Sequence, residues 1–167
     1  RTLTLPSAPA VLNSAQLEAQ LVRYDLFDRR RNPSSNGAAN GYRQQVVGDV
    51  AMVSDSATQL LWQKRPASTD QYTFPAAAAH IEALNRERFG GYDDWRLPTA
   101  AEAASLLEPE PVAERYLDAV FTGGNFIWTT DLAVVGERAW IIYFYDGYAA
   151  SEPFDFNASV RAVRSLR

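Results

Sequence analysis

The stretch GGYDDWRLPTAAE, residues 90–102, predicts the centre of the fold. Its two glycines suit the left-handed backbone conformation in which helices often end. Pro98 lacks a backbone donor and favours an extended conformation in the residue before it. Thr99 can then cap a new helix, and Glu102 completes a capping box three residues later. The stretch therefore predicts a helix end, a short extended crossing that carries Trp95 into the core, and a helix start.

Three further motifs flank this stretch, and all four match one family in the same order. The matching segments are VSDSATQLLWQK at 53–64, GYDDWRLPT at 91–99, FIWTT at 126–130, and AWIIYF at 139–144 with VRAVR at 160–164. Together they resemble the Lcl C-terminal domain family (DUF1566) over about residues 42–165. One departure is Gln59, where the family has glycine, which leaves the turn between two early strands open to a different geometry.

This resemblance implies a C-type-lectin-like fold, with mixed or antiparallel sheets and two main helices. Proteins close to the family include formylglycine-generating enzymes and the variable proteins of diversity-generating retroelements. On this basis we expect residues 139–145 and 159–165 in one sheet, with a helix at 76–89 packed against it. The four tryptophans of the motifs are expected in the core.

Apolar periodicity predicts three helices and a series of short strands. The helices are 15–24, capped by Asn13 or Ser14, then 76–89 and 100–107. The strands are 42–47, 50–53, 60–63, 125–130, 138–145, 148–151 and 159–165. Residues 1–11 indicate a tail or linker, 32–41 a turn-rich loop, and 112–124 an irregular segment. Helices in the middle and strands at both ends favour an α+β domain whose ends meet in one sheet.

Length and charge predict one main domain and exclude some partners. The 167 residues suit an N-terminal tail, short helix and loop at 1–41 and a main domain at 42–167. A net charge of −4 argues against a nucleic-acid partner, which needs a basic footprint. No apolar run is long enough for a membrane span. Because the chain begins with Arg1, we expect it to be the C-terminal part of a larger protein.

The chain contains no cysteine. This excludes disulfides, thiolate metal sites and a cysteine nucleophile. Together with the lack of a visible signal peptide, it favours a cytoplasmic location over the cell surface. The related formylglycine-generating enzymes work through cysteine chemistry, so that activity is the least favoured. No triad, Walker loop or dinucleotide fingerprint is present, and we expect neither catalysis nor a cofactor.

The last strand hairpin, AWIIYFYDGYAAS at 139–151, is the most informative segment for function. Strand side chains alternate between two faces, so if Trp140 faces the core, Ile141 and Tyr143 face the other way. A half-buried strand normally carries polar residues on its outer face, but this one carries Ile and Tyr. Such aromatic residues favour a contact surface. The alternative is that a second layer covers this face.

The resemblance assigns candidate binding residues in the same segment. In retroelement-diversified relatives, the varied positions lie between a fixed tryptophan strand and a fixed terminal strand. The corresponding positions here are Ile141, Tyr143, Tyr145, Asp146, Tyr148, Ala150, Ser151, Glu152, Phe154, Asp155, Phe156 and Asn157. We expect the five aromatic residues among them to be exposed together, as one patch at one end of the domain.

Several charged groups have mainly structural interpretations. Arg161 and Arg164 are expected to pair with Asp94 and Asp93, because a buried arginine needs a carboxylate. The arginine run at 29–31 predicts a solvated helix end rather than a phosphate contact. A structural calcium remains an alternative, because this fold sometimes carries one. The oxygen ligands available for it are Asp55, Asp93, Asp94, Asp131 and Asp155.

The first functional hypothesis is a non-enzymatic ligand-binding domain, the recognition part of a larger bacterial or phage protein. Its C-terminal segment would be diversified, and its partner would be a protein or a glycan. The alternative is a glycan- or glycosaminoglycan-binding adhesin domain, as the family name implies, although the net charge of −4 counts against a sulfated ligand. An enzyme related to the formylglycine-generating group is the third possibility.

Overall fold

The computed structural model describes residues 2–66 and 69–166. These residues form three α-helices, a 3-10 turn at Phe89–Gly91 and nine strands in three antiparallel sheets, which is the expected α+β class. The helices are α1 (Ser14–Arg23), α2 (Phe74–Arg86) and α3 (Ala100–Ala104). The strands are β1 (Tyr42–Val47), β2 (Val50–Asp55), β3 (Leu60–Gln63), β4 (Leu107–Val112), β5 (Arg115–Leu117), β6 (Phe126–Val134), β7 (Arg138–Tyr143), β8 (Tyr148–Pro153) and β9 (Val163–Ser165). No helix in the described ranges is long and apolar enough to cross a membrane.

The first sheet has the strand order β1-β2-β3-β9 and joins the beginning of the main domain to its end. Trp62 of β3 lies opposite Val163 of β9, and Leu61 lies opposite Arg164. The expectation that the two ends of the domain meet in one sheet is therefore confirmed. β1 forms the outer edge of this sheet, and most of its side chains are exposed.

The second sheet contains β6, β7 and β8, so the expectation that 139–145 and 159–165 share a sheet is wrong. The segment before β9 instead crosses from one sheet to the other. Ser159 exchanges backbone hydrogen bonds with Phe126 and Trp128 of β6. Three residues later, Ala162 bonds to the backbone and side chain of Gln63 in β3. The final segment therefore pairs first with the edge strand β6 of the second sheet and then with β3 of the first sheet.

The central stretch folds as its residues predict. Thr99 caps α3, and Glu102 Oε1 accepts a hydrogen bond from the Thr99 backbone nitrogen at 2.9 Å. Glu102 also forms a two-pronged ion pair with Arg96, at 2.6 and 2.7 Å, which ties the extended crossing to the helix. α3 is shorter than predicted, because Leu107 already begins β4. A two-stranded ribbon tolerates the proline residues of β4, because half of the backbone donors of an edge strand need no partner.

The core lies on both faces of the second sheet. One cluster joins α1, α3 and the face of this sheet that carries Trp140. The other joins α2, the central stretch and the face that carries Ile141. The four tryptophans, expected in the core, are buried: Trp62, Trp95, Trp128 and Trp140. Trp62 and Trp140 belong to the first cluster, and Trp95 and Trp128 belong to the second.

The N-terminal segment packs into this core and is not a free tail. Leu12 and Leu132 are joined by a backbone hydrogen bond of 2.8 Å, and Trp140 Nε1 donates to the Leu12 carbonyl at 2.9 Å. α1 is capped by Asn13, as predicted, and buries Leu17 and Leu21 completely. The segment 2–11, predicted to be part of a tail or linker, also bonds to the domain: the Leu3 N–H donates to the Ala57 carbonyl at 2.7 Å, and the Ala10 carbonyl accepts from Leu132 at 2.9 Å.

Candidate binding surface

The candidate segment contributes to one face of the second sheet, which we call the outer face. Tyr143 of β7 lies opposite Tyr148 of β8 and opposite Phe126 of β6. Two residues further along each strand, Ile141 lies opposite Trp128. Because directly opposed strand residues point to the same side of a sheet, these side chains share the outer face.

The expectation that Ile141 is open to a partner is wrong. Its exposed fraction is 0%, because Ala77 and Ile81 of α2 belong to the apolar cluster that covers it. The opposite face of β7 is closed as well, since Trp140 and Ile142 pack into the other cluster. A second layer therefore covers the middle of β7, and this layer explains an apolar residue on its outer face.

Half-buried aromatic rings form a continuous network around the buried Trp128 on this face. Neighbouring ring centroids are 4.7 to 6.4 Å apart, within the range of favourable aromatic contacts. We call the half-buried members the aromatic belt: Phe74, Phe126, Tyr143, Tyr148, Phe154 and Phe156. The belt brings together four of the five aromatic residues that the sequence analysis selected.

The expected exposure of the five selected aromatic residues is correct only for Tyr145, which is 53% exposed. The other four lose surface to one another and to Trp128. The predicted single patch at one end is also wrong. Tyr145 and Asp146 lie in the turn beyond the Tyr143–Tyr148 pair, whereas Asp155 follows the opposite end of β8. Asp146, Asp155 and Asn157 are exposed, so the open positions lie at both ends of the belt.

The remaining candidate residues have fixed contacts within the sheet. The Tyr143 hydroxyl donates to Glu152 Oε1 at 2.8 Å. Burial, followed by this carboxylate, raises the pKa of Tyr143, so its hydroxyl stays protonated at neutral pH. The Ser151 hydroxyl and carbonyl accept hydrogen bonds from Arg138. Ala150, Ser151 and Glu152 are half-buried. They pack beside the belt and add little exposed surface to it.

The arginine run at 29–31 is not a helix end, because α1 ends at Arg23 and the run contacts the β7–β8 hairpin. Arg29 and Arg30 are nevertheless exposed to solvent, as predicted. The buried carboxylate of Asp28 anchors the run: Oδ1 accepts from the backbone of Arg30 and Arg31, and Oδ2 accepts from Ala149 at 2.9 Å. The Arg30 guanidinium lies 3.6 Å from the centroid of the Tyr148 ring. This distance is typical of a cation–π contact, which holds one end of the belt in place.

The predicted pairing of the two terminal arginines with carboxylates is confirmed for Arg164 and wrong for Arg161. Arg164 pairs with Asp94 at 2.6 and 3.1 Å, and this contact lowers the pKa of Asp94. Arg161 is fully buried and has no carboxylate partner within the described ranges. Its guanidinium instead donates to backbone carbonyls. The other expected carboxylate, Asp93, pairs with Arg88.

The carboxylates proposed for calcium do not converge. In the described part of the chain, no group of three or more Asp, Glu or His side chains is placed to hold a metal ion. The Asp55 oxygens accept four hydrogen bonds, including one from the Asn40 side chain and one from the Gly41 backbone. Asp131 accepts from the backbone of Ala10 and Ala100. A structural calcium stays a prediction and would need ligands beyond these carboxylates.

Two features of this region lie outside the predicted residues. One is the Asp28 anchor, whose sequence signal, an acid before three arginines, indicates only a charged surface. The other is a polar cavity beside Phe126, next to the segment 122–125. The Gly123-Gly124 pair is its only sequence signal, and it indicates a turn rather than a site.

A model of the Lcl C-terminal domain family matches residues 51–164. The match contains the central stretch and the whole second sheet, and it begins after β1. The N-terminal segment that carries α1 and the Asp28 anchor lies outside it. No curated protein matches the chain.

Proposed function

The chain belongs to the Lcl C-terminal domain family, and we propose that it is a non-catalytic recognition domain. Its contact surface is the aromatic belt, with the exposed Tyr145, Asp146, Asp155 and Asn157 at the two ends. The belt itself carries the proposal, because six half-buried rings in one network keep part of their surface on the same face. Aromatic rings supply large contact area and lose little conformational entropy on binding.

The neighbouring contacts support a rigid surface. Tyr143 is stacked against Phe126 with an interplanar angle of 18° and is hydrogen-bonded to Glu152. Tyr148 lies beneath Arg30. A surface whose side chains are already fixed loses less entropy when a partner binds, so more of the contact energy appears as affinity. Because acids flank the rings at both ends, the favoured partner is a protein that presents apolar and basic side chains.

A finer proposal is a retroelement-diversified variable protein with a C-type-lectin-like fold. Its support is the family resemblance together with the four exposed candidate positions, whose side chains the core does not need. Buried Ile141 would be excluded from the varied set. The test is the gene neighbourhood: a nearby reverse transcriptase and a template copy of the last coding segment are expected. A complete genome without either would contradict the diversified proposal and leave the recognition domain itself unaffected.

The binding proposal is tested with variants at the two ends of the belt. A partner is first isolated with the full chain and purified, and its affinity is then measured by calorimetry. Replacing Tyr148 or Tyr145 by Ala is expected to weaken binding by about 2 kcal/mol or more, as at interface hot spots. Val135, which is 69% exposed in the β6–β7 turn, provides the control Val135→Ala. Equal affinity for all three variants and the parent chain would contradict the proposal.

A glycan-binding adhesin domain is the second candidate, and one observation favours it. Arg29 and Arg30 are exposed beside Tyr148, so a local basic patch adjoins an aromatic ring despite the net charge of −4. A sulfated glycan would use both. Heparin binding that is lost in an Arg29→Gln, Arg30→Gln double variant would support this candidate, and lack of binding at low salt would contradict it. Cysteine-based catalysis is not proposed, since the chain has no cysteine.

A further inference from the structure

A cavity of about 310 Å³ lies beside the Phe126 end of the aromatic belt. This volume is at the lower end of the range for small-molecule sites. One wall is the loop 122–125, and Phe126 forms an apolar side. The described polar side chains that line the cavity are Arg65, Thr69, Gln71, Thr122, Asn125 and Ser159.

The lining is rich in hydrogen-bond donors and poor in negative charge. Among the described lining residues there is no Asp or Glu, although Asp70 lies between Thr69 and Gln71 in the chain. Within residues 2–66 and 69–166, the side chains of Thr69, Gln71 and Ser159 form no hydrogen bond with the protein. Arg65 is exposed and enters none of the ion pairs of these ranges. These groups are therefore available to a ligand.

A buried cation lies directly behind the loop. Arg161 Nη2 donates to the carbonyls of Thr122 and Gly123, at 3.1 and 2.8 Å, and Nη1 donates to two carbonyls of the segment 63–64. Burial, and secondly the charge of Arg115, lower the pKa of Arg161 to about 9, so it is protonated at neutral pH. A buried charge without a counter-ion is unfavourable, and the carbonyl dipoles compensate for it only in part.

This contact orients the backbone donors of the loop. In a trans peptide plane, the carbonyl and the N–H group point in opposite directions. Because two successive carbonyls point toward Arg161, the N–H groups of Gly123 and Gly124 point away from it. Neither N–H has an acceptor among the described residues. Both glycines have positive φ, 64° and 62°, and a Cβ atom on Gly124 would lie 2.9 Å from Arg161 Nη2.

We propose that this cavity binds a small organic carboxylate. The N–H groups of Gly123 and Gly124 donate hydrogen bonds to the carboxylate oxygens, as in other backbone anion sites. Arg65 is the only charged side chain among the described lining residues, and one cation in direct contact with the ligand suits a monoanion. The carbon skeleton packs against Phe126, and hydroxyl substituents meet Thr69 and Gln71. Arg161 supplies a fixed positive field behind the loop.

This site is independent of the proposed partner surface, with which it shares only Phe126. A carboxylate in the cavity needs no macromolecular partner, and a partner on the belt needs no carboxylate. Variants at Arg65 leave the far end of the belt unchanged, so failure of either proposal leaves the other open to its own test.

The test is a titration of the ¹⁵N-labelled full chain followed by NMR. Acetate and galacturonate are the carboxylate probes, and galactose is the neutral match for galacturonate. We expect the amide signals of Gly123 and Gly124 to shift saturably with both carboxylates. They should not shift with galactose or with sodium chloride at the same ionic strength. Absence of saturable shifts, or equal shifts with sodium chloride, would overturn the proposal. Tighter binding of inorganic phosphate or sulfate would overturn the assignment to a carboxylate.

A variant pair tests the role of the side chain. Arg65→Gln removes one charge-assisted hydrogen bond and is expected to weaken galacturonate binding about tenfold. Arg43→Gln is the control, because Arg43 is exposed on the edge strand β1 and does not line the cavity. Unchanged affinity in Arg65→Gln, or an equal loss in the control, would overturn the assignment.

Discussion

Gln59 adopts a left-handed conformation, with a φ of 58°, in the turn between β2 and β3. This is a conformation that glycine adopts readily and that other residues adopt only with strain. The Gln59 side chain compensates through an exposed hydrogen bond to the Ser56 carbonyl. The turn is thus closed without a glycine at position 59, because the Asp55 hydrogen bonds hold it.

Gln59→Gly should therefore stabilise the protein. Relief of left-handed strain exceeds the added entropy of the unfolded chain, and we expect the free energy of unfolding to rise by roughly 0.5–1 kcal/mol. Urea denaturation measures the change. Gln44→Gly on β1 is the matched control and should lower the same quantity, since glycine weakens a strand. A loss of stability in Gln59→Gly would show that the left-handed turn is not strained.

His80 is the single histidine of the chain and gives stability a distinct pH dependence. Its ring stacks on Tyr72 with centroids 4.6 Å apart, and its buried Nε2 has no hydrogen-bond partner in the described structure. Burial lowers the pKa of His80, and the charges of Glu87 and Asp70 oppose this shift more weakly. The unfolded chain therefore takes up the proton at a higher pH than the folded chain does.

Because the pKa is lower in the folded chain, neutral His80 contributes fully to the free energy of unfolding above about pH 6.5, the ordinary pKa of histidine. It is lost as the pH falls from that value through the lowered pKa of the folded state. His80→Phe keeps a ring against Tyr72 but cannot titrate. We expect the stability difference between the parent chain and this variant to change between pH 7.5 and 5.5, in favour of the variant at low pH. A constant difference across this range would contradict the account.

At the scale of elements, the β7–β8 hairpin depends on the segment 28–31. Asp28 is fully buried and accepts three backbone hydrogen bonds, one of them from β8. Asp28→Asn would turn an amide NH₂ toward at least one of these N–H donors. The cost of leaving a buried donor unpaired is about 1–3 kcal/mol, and we expect a destabilisation of that size.

Urea denaturation of Asp28→Asn, with Asp146→Asn as control, checks this expectation. Asp146 is exposed in the turn of the same hairpin, and its side chain has no partner among the described residues, so the control should change stability by less than about 0.5 kcal/mol. Similar stability of both variants would mean that the segment 28–31 does not hold the hairpin.

Elements with local signals could be predicted from the sequence. The cap at Asn13, the capping box at Thr99 and the glycine turn after Val47 each involve residues within four positions of one another. The sequence predicted that the two ends of the domain share a sheet, but it could not predict which strand pairs with β9, because the partners Leu60 and Ser165 lie far apart in the chain. The same holds for β4, where two prolines indicate the end of a helix more strongly than they indicate a strand.

The candidate site shows the same limit. Period-two alternation correctly placed Ile141 and Tyr143 on the same face, but it carries no information about what covers that face. The cover comes from α2, far earlier in the chain, and Arg30 reaches Tyr148 from even further away. Alternation could therefore identify the side of the sheet on which Tyr143 lies, but it could not predict that this ring is half-buried or that Phe74 and Phe126 belong to the same belt.

At the scale of the whole molecule, the N-terminal segment packs into the core although the family match begins at residue 51. Residues 1–41 contribute five buried large apolar side chains to one core cluster: Leu12, Leu17, Leu21, Leu26 and Phe27. Each contributes roughly 1.5–3 kcal/mol when buried. Their sum is comparable to the whole stability of an ordinary domain, about 5–15 kcal/mol.

A chain of residues 42–167 is therefore expected not to fold cooperatively. Its thermal transition, followed by near-ultraviolet circular dichroism of the four tryptophans, should be absent, whereas a chain that lacks only residues 1–2 should retain it. A cooperative transition in the 42–167 chain would show that the main domain is independent of its N-terminal segment.

The central claim is that the aromatic belt and its exposed ends form a prearranged contact surface. Hydrogen–deuterium exchange of the full chain, alone and with its purified partner, tests this claim most directly. The account predicts slower exchange in the partner complex at residues 143–148 and 154–157, with the β1–β2 hairpin unchanged. Protection confined to β1 and β2, with no change along β7, β8 and the segment that follows them, would contradict it.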